Sequence, residues 1–313
     1  MMECTDRHGR YFLRQFSRGV LLYSEMITAA AVRHGKRDFL LAFDAAEHPV
    51  ALQLGGGDPA ELVVAAKLGQ AAGYGEINLN VGCPSDRVKS GRFGACLMAE
   101  PELVARCVAA MVDAVDLPVT VKCRIGINGR DSFEQLRSFA SLLVGAGMAS
   151  LAVHARIAVL QGLSPKQNRE IPPLDYNRVY RLKEELPKLE IILNGGVRSL
   201  DAAAGHMHSV DGVMIGRAAF EDPYILAEAD GRFFADAQGA PSRHDIARAM
   251  LPYAERALRE GARLNHVTRH MLGLFHARPG ARAWRRYLSE HVPRPGAGPE
   301  IIEQALALVP EAA

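Results

Sequence analysis

The sequence has few cysteines for its 313 residues, and it lacks any C-x-x-C pair. Five is an odd number that does not suit a fully paired disulfide framework, and structural zinc sites use closely spaced ligand pairs. The first ten residues are polar and charged, so no secretory leader is visible, and no apolar run reaches membrane-spanning length. We therefore expect no metal site and a reducing, cytoplasmic setting.

What is present is the composition of an ordinary globular protein, with 49% hydrophobic and 23% charged residues. Short apolar strands alternate with amphipathic helices through the first two thirds of the chain, which predicts parallel strand pairing. The length accommodates a barrel of about 250 residues and a smaller second unit. The expected fold class is therefore α/β, a TIM (β/α)8 barrel followed by an all-helical domain.

The pattern predicts seven core strands, whereas a closed barrel needs eight, so the first strand is expected to be missing ahead of the helix at Asp6. The predicted strands begin near Val20, Val50, Ile77, Val119, Leu151, Ile191 and Gly212. The first of them is expected to run unbroken from Val20 to Ile27, and residues 39–43 are predicted to form one arm of a hairpin. Capping-box spacings predict helix starts at Asp58, with Glu61, and at Asp131, with Glu134.

After residue 230 the alternation of strands and helices stops. We expect residues 1–230 to form the catalytic barrel, residues 231–243 a connector and residues 244–313 a helical domain. Ten arginines and only four acidic residues lie between Arg243 and Glu290, although the whole chain carries a net charge of only +2. Such a basic helical surface is typical of a phosphate-backbone contact, but a solvated surface without a partner is an equally good interpretation.

The stretch from Glu76 to Met98 organises the chain, because a predicted strand there ends in Gly82-Cys83-Pro84. A thiol at the carboxyl end of a parallel strand lies where barrels place their chemistry. Three roles are open for Cys83: a packed small residue, a nucleophile or a general acid. A nucleophile needs a neighbouring base, and no histidine lies in this loop, so the general acid is favoured.

Other polar residues also fall at strand ends. Gln53, Lys122 and His154 each come late in a strand, although each has a purely structural alternative. Glycine-rich turns end the last two strands, in the order Asn194-Gly195-Gly196 and Gly216-Arg217. In this position such turns commonly bind phosphate. The alternative interpretation is purely structural, because tight βα turns need glycine in any barrel.

Together these segments resemble the tRNA-dihydrouridine synthases, in particular their A subfamily. The resemblance rests on Asn-Leu-Asn-Val-Gly-Cys-Pro at 78–84, Gly-Leu-Ser-Pro-Lys at 162–166, Val-Thr-Val-Lys at 119–122 and Thr-Arg-His-Met-Leu-Gly-Leu-Phe at 268–275. Matching stretches cover nearly the whole chain. The family begins with a strand ahead of the Thr-Asp-Arg-His segment at 5–8, so we expect the natural protein to start upstream of Met1. Cys4 also stands where the family usually has tryptophan.

The resemblance implies an FMN enzyme that uses NADPH to reduce the C5–C6 bond of uridine in the tRNA D-loop, at positions 20 and 20a, with Cys83 as the proton donor. The residues that it implies for the cofactor are Gln53, Lys122, His154, Asn194, Gly195, Gly196, Gly216 and Arg217. The residues that it implies for tRNA are Asn80, Ser164, Gln167, Arg282 and Arg285. A monomer is expected. Two alternatives remain: an FMN barrel acting on a small molecule, and a tRNA-binding protein with an inactive flavin site.

Overall fold

A computed structural model describes residues 2–85, 91, 93–235 and 239–311. The parts of the cysteine motif at 86–90 and 92, and of the connector at 236–238, lie outside the described residues. The strands are β1 (Leu22–Tyr23), β2 (Ile27–Thr28), β3 (Val50–Gly55), β4 (Glu76–Asn80), β5 (Val119–Arg124), β6 (Ser150–His154), β7 (Glu190–Asn194) and β8 (Gly212–Met214).

The longer helices are α1 (Arg7–Arg14), α2 (Ala29–His34), α3 (Arg37–Leu40), α4 (Pro59–Ala72), α5 (Pro101–Val112), α6 (Phe133–Gly145), α7 (Tyr176–Glu185) and α8 (Leu200–His206). They are followed by α9 (Arg217–Glu221), α10 (Ala229–Phe233), α11 (Arg243–Arg259), α12 (Leu264–Met271), α13 (Ala281–His291) and α14 (Glu300–Leu306). Short 3-10 turns lie at Ala45–Glu47, Gly94–Ala99, Gln167–Arg169 and Pro223–Leu226. No helix of the described residues is long and apolar enough to cross a membrane.

The strands form one sheet in the order β1-β3-β4-β5-β6-β7-β8, with β2 also paired to β3. All pairings from β2 to β8 are parallel, and the sheet is curled like part of a barrel. The predicted parallel α/β architecture, followed by a helical region, is therefore confirmed. Within the described ranges no strand pairing joins β8 to β1, so the sheet order is open there.

One face of the sheet packs against helices. A Cβ atom added to Gly69 of α4 would lie only 2.5 Å from Leu52 Cδ2, so β3 and α4 are in close contact. Leu52 and Ile77 are fully buried on this side. Because side chains alternate along a strand, their neighbours Gln53 and Asn78 face the opposite side, the inner face of the sheet. That face carries the polar residues described below.

Three local predictions were wrong. The segment Val20–Ile27 is not one strand but two two-residue strands, because the chain leaves the sheet between Tyr23 and Ile27. Residues 39–43 do not form a hairpin arm; hydrogen bonds from Leu40 N to Lys36 O (3.0 Å) and from Leu41 N to Arg37 O (2.9 Å) close a helical turn.

The third correction concerns the start of α6. Its N-cap is Ser132 rather than Asp131, and the reciprocal capping bonds join Ser132 to Gln135 rather than to Glu134. The start at Asp58 is confirmed, since its carboxylate accepts from the backbone N–H groups of Ala60 and Glu61.

The chain divides into two compact units. The barrel unit comprises Tyr23–Ala42 and Pro49–Gly216, and the helical unit comprises Met2–Leu22, Phe43–His48 and Arg217 onward. In this division two early segments and residues 217–230 belong to the helical unit, whereas the sequence prediction assigns all of 1–230 to the barrel. Long-range bonds within that unit account for this: Arg10 Nε donates to Glu47 Oε2 at 2.5 Å, and His270 pairs with Asp6 at 2.9 Å.

Candidate active site

The turn after β4 presents Cys83. The Asn80 side-chain oxygen accepts hydrogen bonds from the backbone N–H groups of both Gly82 and Cys83, each at 3.0 Å. These two bonds fix the turn locally, in the manner of an Asx turn. Cys83 is half-buried, and its thiol donates to the Ser85 hydroxyl at 3.6 Å. The thiol therefore lies at the carboxyl edge of the sheet.

Gln53 on β3 is tied to the same turn through Asn80. Its Oε1 atom accepts from Asn80 Nδ2 at 2.8 Å, and its Nε2 atom donates to Asn78 Oδ1 at 2.9 Å. Both amides are buried, so each unpaired polar atom would be costly. Gln53 retains one N–H and one oxygen lone pair for a ligand, because an amide has two of each.

Lys122 and Asn194 meet across the sheet. Lys122 Nζ donates to Asn194 Oδ1 at 3.0 Å, and Asn194 Nδ2 donates to the Met214 carbonyl at 2.7 Å. Burial, together with the nearby charge of Arg124, lowers the pKa of Lys122 to about 8. An ammonium group with a single acceptor is suited to binding a carbonyl-rich or anionic ligand.

The glycines after β7 are required by packing as well as by any ligand. Gly195 and Gly196 have φ values of +111° and +75°. A Cβ atom on Gly195 would overlap the His154 ring, and one on Gly196 would lie 2.6 Å from Leu174 Cδ1. His154 is buried at the end of β6, in register with Asn194. Packing and backbone conformation are thus sufficient to explain these two glycines.

The sequence reasoning missed Arg124. Its guanidinium is buried and donates to the carbonyls of Gly82 (3.2 Å), Ile157 (3.2 Å) and Asn168 (2.9 Å). It therefore links the cysteine turn to the loop after β6. Burial lowers the pKa of Arg124 to about 10. The available signal was its spacing, because a residue two positions after Lys122 lies on the same face of the strand.

The loop after β6 holds the two predicted tRNA contacts, Ser164 and Gln167. Both are exposed, and they cap each other: Ser164 N donates to Gln167 Oε1 at 2.9 Å, and Gln167 N donates to Ser164 Oγ at 3.2 Å. Asn168 next to them is fully buried and bonds to three loop carbonyls. Ser164 and Gln167 therefore already stabilise the loop.

The remaining predicted residues lie at or beyond the end of the barrel unit. Gly216 is its last residue, and Arg217 begins α9 in the helical unit. Arg282 and Arg285 are exposed on α13, while Trp284 between them is fully buried and donates to the Met271 carbonyl at 3.0 Å. The structure thus brings together in one unit Gln53, Asn80, Cys83, Lys122, His154, Asn194, Gly195 and Gly196.

Eight arginines between Arg243 and Arg286 differ in their partners. Those in ion pairs with carboxylates are Arg243, Arg248, Arg256 and Arg269. Four others line a depression of about 850 Å³, and within the described part of the chain none of them forms an ion pair: Arg278, Arg282, Arg285 and Arg286. An uncompensated group of this kind favours an anionic partner over a merely solvated surface.

Two solved structures share the fold of much of this chain at low identity. A 2-naphthoyl-CoA reductase in complex with 2-naphthoyl-CoA matches 73% of this chain and 47% of its own, with a TM-score of 0.57 and 12% identity. Histamine dehydrogenase from Rhizobium sp. 4-9 matches 71% of this chain and 42% of its own, with a TM-score of 0.52 and 12% identity. At this identity the likeness shows the fold alone.

Sequence relatives are much closer. The tRNA-dihydrouridine(20/20a) synthase of Shewanella oneidensis is 56% identical over 305 residues, 97% of this chain and 91% of the relative. The proteins of that name from Vibrio cholerae and Escherichia coli K12 are also 56% identical, over 99% of this chain and 95% and 90% of their own length. The dihydrouridine synthase (Dus) family profile matches residues 1–308. This chain therefore belongs to the dihydrouridine synthase family.

Proposed function

We propose that this chain reduces uridine to 5,6-dihydrouridine in the D-loop of tRNA, at positions 20 and 20a, with FMN as cofactor and NADPH as reductant. The observation that carries the proposal is the 56% identity, over 97% of the chain, with a tRNA-dihydrouridine(20/20a) synthase. We propose further that the protein acts as a monomer, on tRNA in the cytoplasm.

Two features of the barrel unit support a flavin. Gln53 has one free N–H and one free lone pair, which match the alternating donors and acceptors of a pyrimidine edge. Among the described residues the Lys122 ammonium has one acceptor, Asn194 Oδ1, so further N–H groups remain for a ring carbonyl or a negative charge. His154, Asn194, Gly195, Gly196, Gly216 and Arg217 are the other residues that we propose to hold the cofactor.

When bound, the reduced flavin supplies the hydride for the C5–C6 bond. The chain must supply the proton, and Cys83 is the candidate, because its thiol lies at the carboxyl edge of the sheet on a turn that Asn80 fixes. Lys122 keeps its charge below about pH 8 and can stabilise negative charge in the site. A stacked base cannot enter such a site, so the uridine must be flipped out, at a cost of a few kcal/mol.

The proposed tRNA contacts divide between the two units. In the barrel unit they are Asn80, Ser164 and Gln167. In the helical unit they are Arg282 and Arg285, which together with Arg278 and Arg286 supply positive charge and form no ion pair with any described residue. We propose that the barrel unit carries the chemistry and that the helical unit binds the phosphate backbone.

The test is to incubate unmodified tRNA with the protein, FMN and NADPH, digest it and weigh the nucleosides. We expect a D-loop uridine to gain about two daltons, the mass of two hydrogens. Cys83→Ala should reduce the rate at least about a hundredfold, as removal of a general acid does.

The matched control is Cys96→Ala, because Cys96 is also half-buried in the barrel unit and its thiol donates to the Phe93 carbonyl. Its rate should stay within about twofold of wild type. Colourless purified protein, or equal reduction of free uracil compounds and tRNA, would contradict the proposal. Equal losses in the two cysteine variants would remove Cys83 from its role.

A further inference from the structure

An unusual row of polar side chains lines the inner face of β3, β4 and β5. Glu76, Asn78 and Asn80 alternate along β4, and Asn78 is in register with Gln53 on one side and Thr120 on the other. Asn78 is fully buried and Thr120 nearly so. Strands of a parallel sheet that is covered on both faces are usually apolar, so these buried polar groups call for an explanation.

The row is one continuous chain of hydrogen bonds. It starts at the cysteine turn, where Asn80 accepts from Gly82 and Cys83, and passes through Gln53 to Asn78. Asn78 Nδ2 then donates to Thr120 Oγ1 at 2.8 Å, and the Thr120 hydroxyl donates to Glu76 Oε1 at 2.5 Å. The Tyr23 hydroxyl donates to the same Glu76 oxygen at 2.9 Å.

Every bond in this chain points the same way, from the cysteine turn toward Glu76, and the turn requires that direction. At the cysteine turn the partners are two backbone N–H groups, which can only donate, so Asn80 must present its oxygen there. At the other end Glu76 presents a carboxyl oxygen that accepts from two hydroxyl groups. Reversing the amides would place the Asn80 NH₂ group against two N–H donors. The intervening orientations are therefore determined.

We propose that Glu76 and Thr120 are positioning residues for the Cys83 turn: they supply the final acceptors of the chain and thereby fix the amide orientations of Gln53 and Asn80. Neither residue lies in the turn itself. Without the Thr120 hydroxyl, a buried N–H of Asn78 has no acceptor, and the chain is free to rearrange toward the cysteine. The inference rests on the proposed function only where activity is the measurement.

The orientation also decides what Asn80 offers to a substrate. Its oxygen already accepts two N–H groups and one of its amide hydrogens goes to Gln53, so one N–H donor remains. An atom that contacts this side chain from the mouth of the site must therefore be an acceptor, such as a pyrimidine carbonyl. An exocyclic amino group would leave both donors unpaired.

The test compares Thr120→Val, which removes the hydroxyl at constant shape, with Thr120→Ser, which retains it. The matched control is Thr268→Val in the helical unit, because Thr268 is equally buried and its hydroxyl donates to the Leu264 carbonyl. The first measurement is backbone hydrogen exchange at Gly82 and Cys83 in the flavin-free protein. It needs neither cofactor nor tRNA.

In Thr120→Val we expect these two amides to exchange at least about threefold faster, because the Asn80 oxygen is less firmly held. In Thr120→Ser and Thr268→Val they should exchange as in wild type. With tRNA, kcat of Thr120→Val should fall about tenfold while KM stays within about twofold, as expected for lost positioning rather than lost binding.

Unchanged exchange at Gly82 and Cys83 in Thr120→Val would overturn the inference, as would equal changes in the Thr268→Val control. A rise in KM at constant kcat would also overturn it. If the wild-type protein reduces no tRNA, the proposed function fails, but the exchange measurement still decides this inference.

Discussion

The two sides of the barrel site position their groups by different means. On the cysteine side, formed by β3, β4 and β5, side-chain amides and hydroxyls bond to one another and hold the turn at Cys83. On the glycine side, formed by β6, β7 and β8, glycine backbone and close packing place His154 and Asn194. The cysteine side therefore depends on hydrogen-bond polarity, whereas the glycine side depends on shape.

The largest effect on stability is expected from a substitution on the glycine side. Gly195→Ala should lower the free energy of unfolding by about 3 kcal/mol or more, because the positive φ strains any side chain and the new methyl overlaps His154. Urea denaturation measures it. The control is Gly205→Ala within α8, where a Cβ meets nothing within 4 Å, and a gain of up to about 1 kcal/mol is expected. Equal effects at the two positions would contradict the role of shape.

The next largest effect on stability is expected from a substitution on the cysteine side. Arg124→Met should lower the free energy of unfolding by about 2 kcal/mol, because three carbonyls lose a charged donor. The same denaturation experiment applies. Arg137→Met is the control, since Arg137 is exposed and its 3.5 Å pair with Glu185 should be worth less than about 1 kcal/mol. A loss no larger than that of the control would show that Arg124 does not hold the turn.

A smaller effect tests the bond between the two sides, from Lys122 to Asn194. The pKa of Lys122 is about 8 in the fold and about 10.4 in an unfolded chain, so the folded protein carries a penalised charge below pH 8. Lys122→Met removes this charge and should therefore be about 1 kcal/mol more stable than wild type at pH 7. The gain is smaller than the full pKa shift corresponds to, because Asn194 loses a hydrogen bond in the variant.

The sign of this effect can be followed with pH. Between about pH 8 and 10.4 the unfolded chain binds more protons than the folded one, so wild-type stability rises with pH relative to the variant. Thermal melts of flavin-free wild type and Lys122→Met across this range would show the difference in stability between them becoming smaller as the pH rises. A difference that is constant with pH would mean that Lys122 does not titrate there.

The smallest effect on stability lies outside both sides of the site. Arg282→Ala with Arg285→Ala should change unfolding by less than about 0.5 kcal/mol, because both side chains are exposed. The same double substitution should weaken tRNA binding. It should also reduce, by about 1 to 2, the slope of log binding constant against log salt concentration. Arg248→Ala is the control, as Arg248 already pairs with Asp245 and Glu311, and its slope should not change.

Local sequence patterns were sufficient to predict much of the fold. They were misleading where two sequence patterns at neighbouring positions predict different structures. The strand at Val50 and the helix start at Asp58 follow from alternation and capping, which act over a few residues. Asp131 and Ser132 are both good caps, and only the backbone path selects Ser132. Residues 39–43 are apolar enough for a strand, yet the backbone of Leu40 and Leu41 bonds to Lys36 and Arg37 and closes a helical turn.

The candidate site divides in the same way. Gln53, Lys122 and Asn194 were found because each lies late in a strand, and a parallel sheet gathers the carboxyl ends of its strands at one edge. Arg124 and Thr120 were not found, because their importance lies in partners on other strands. Thr120 bonds to Glu76 across 44 positions of sequence, and Arg124 bonds to Asn168 across the same separation.

By itself, the sequence determined where strands end, which helices are capped and which family the chain belongs to, since each depends on residue identities close together in the chain. Only the tertiary structure decided which side chains bond to one another. The strand register brings Gln53, Asn78 and Thr120 side by side, so the direction of the hydrogen-bond chain from Cys83 to Glu76 appears only when the sheet is assembled.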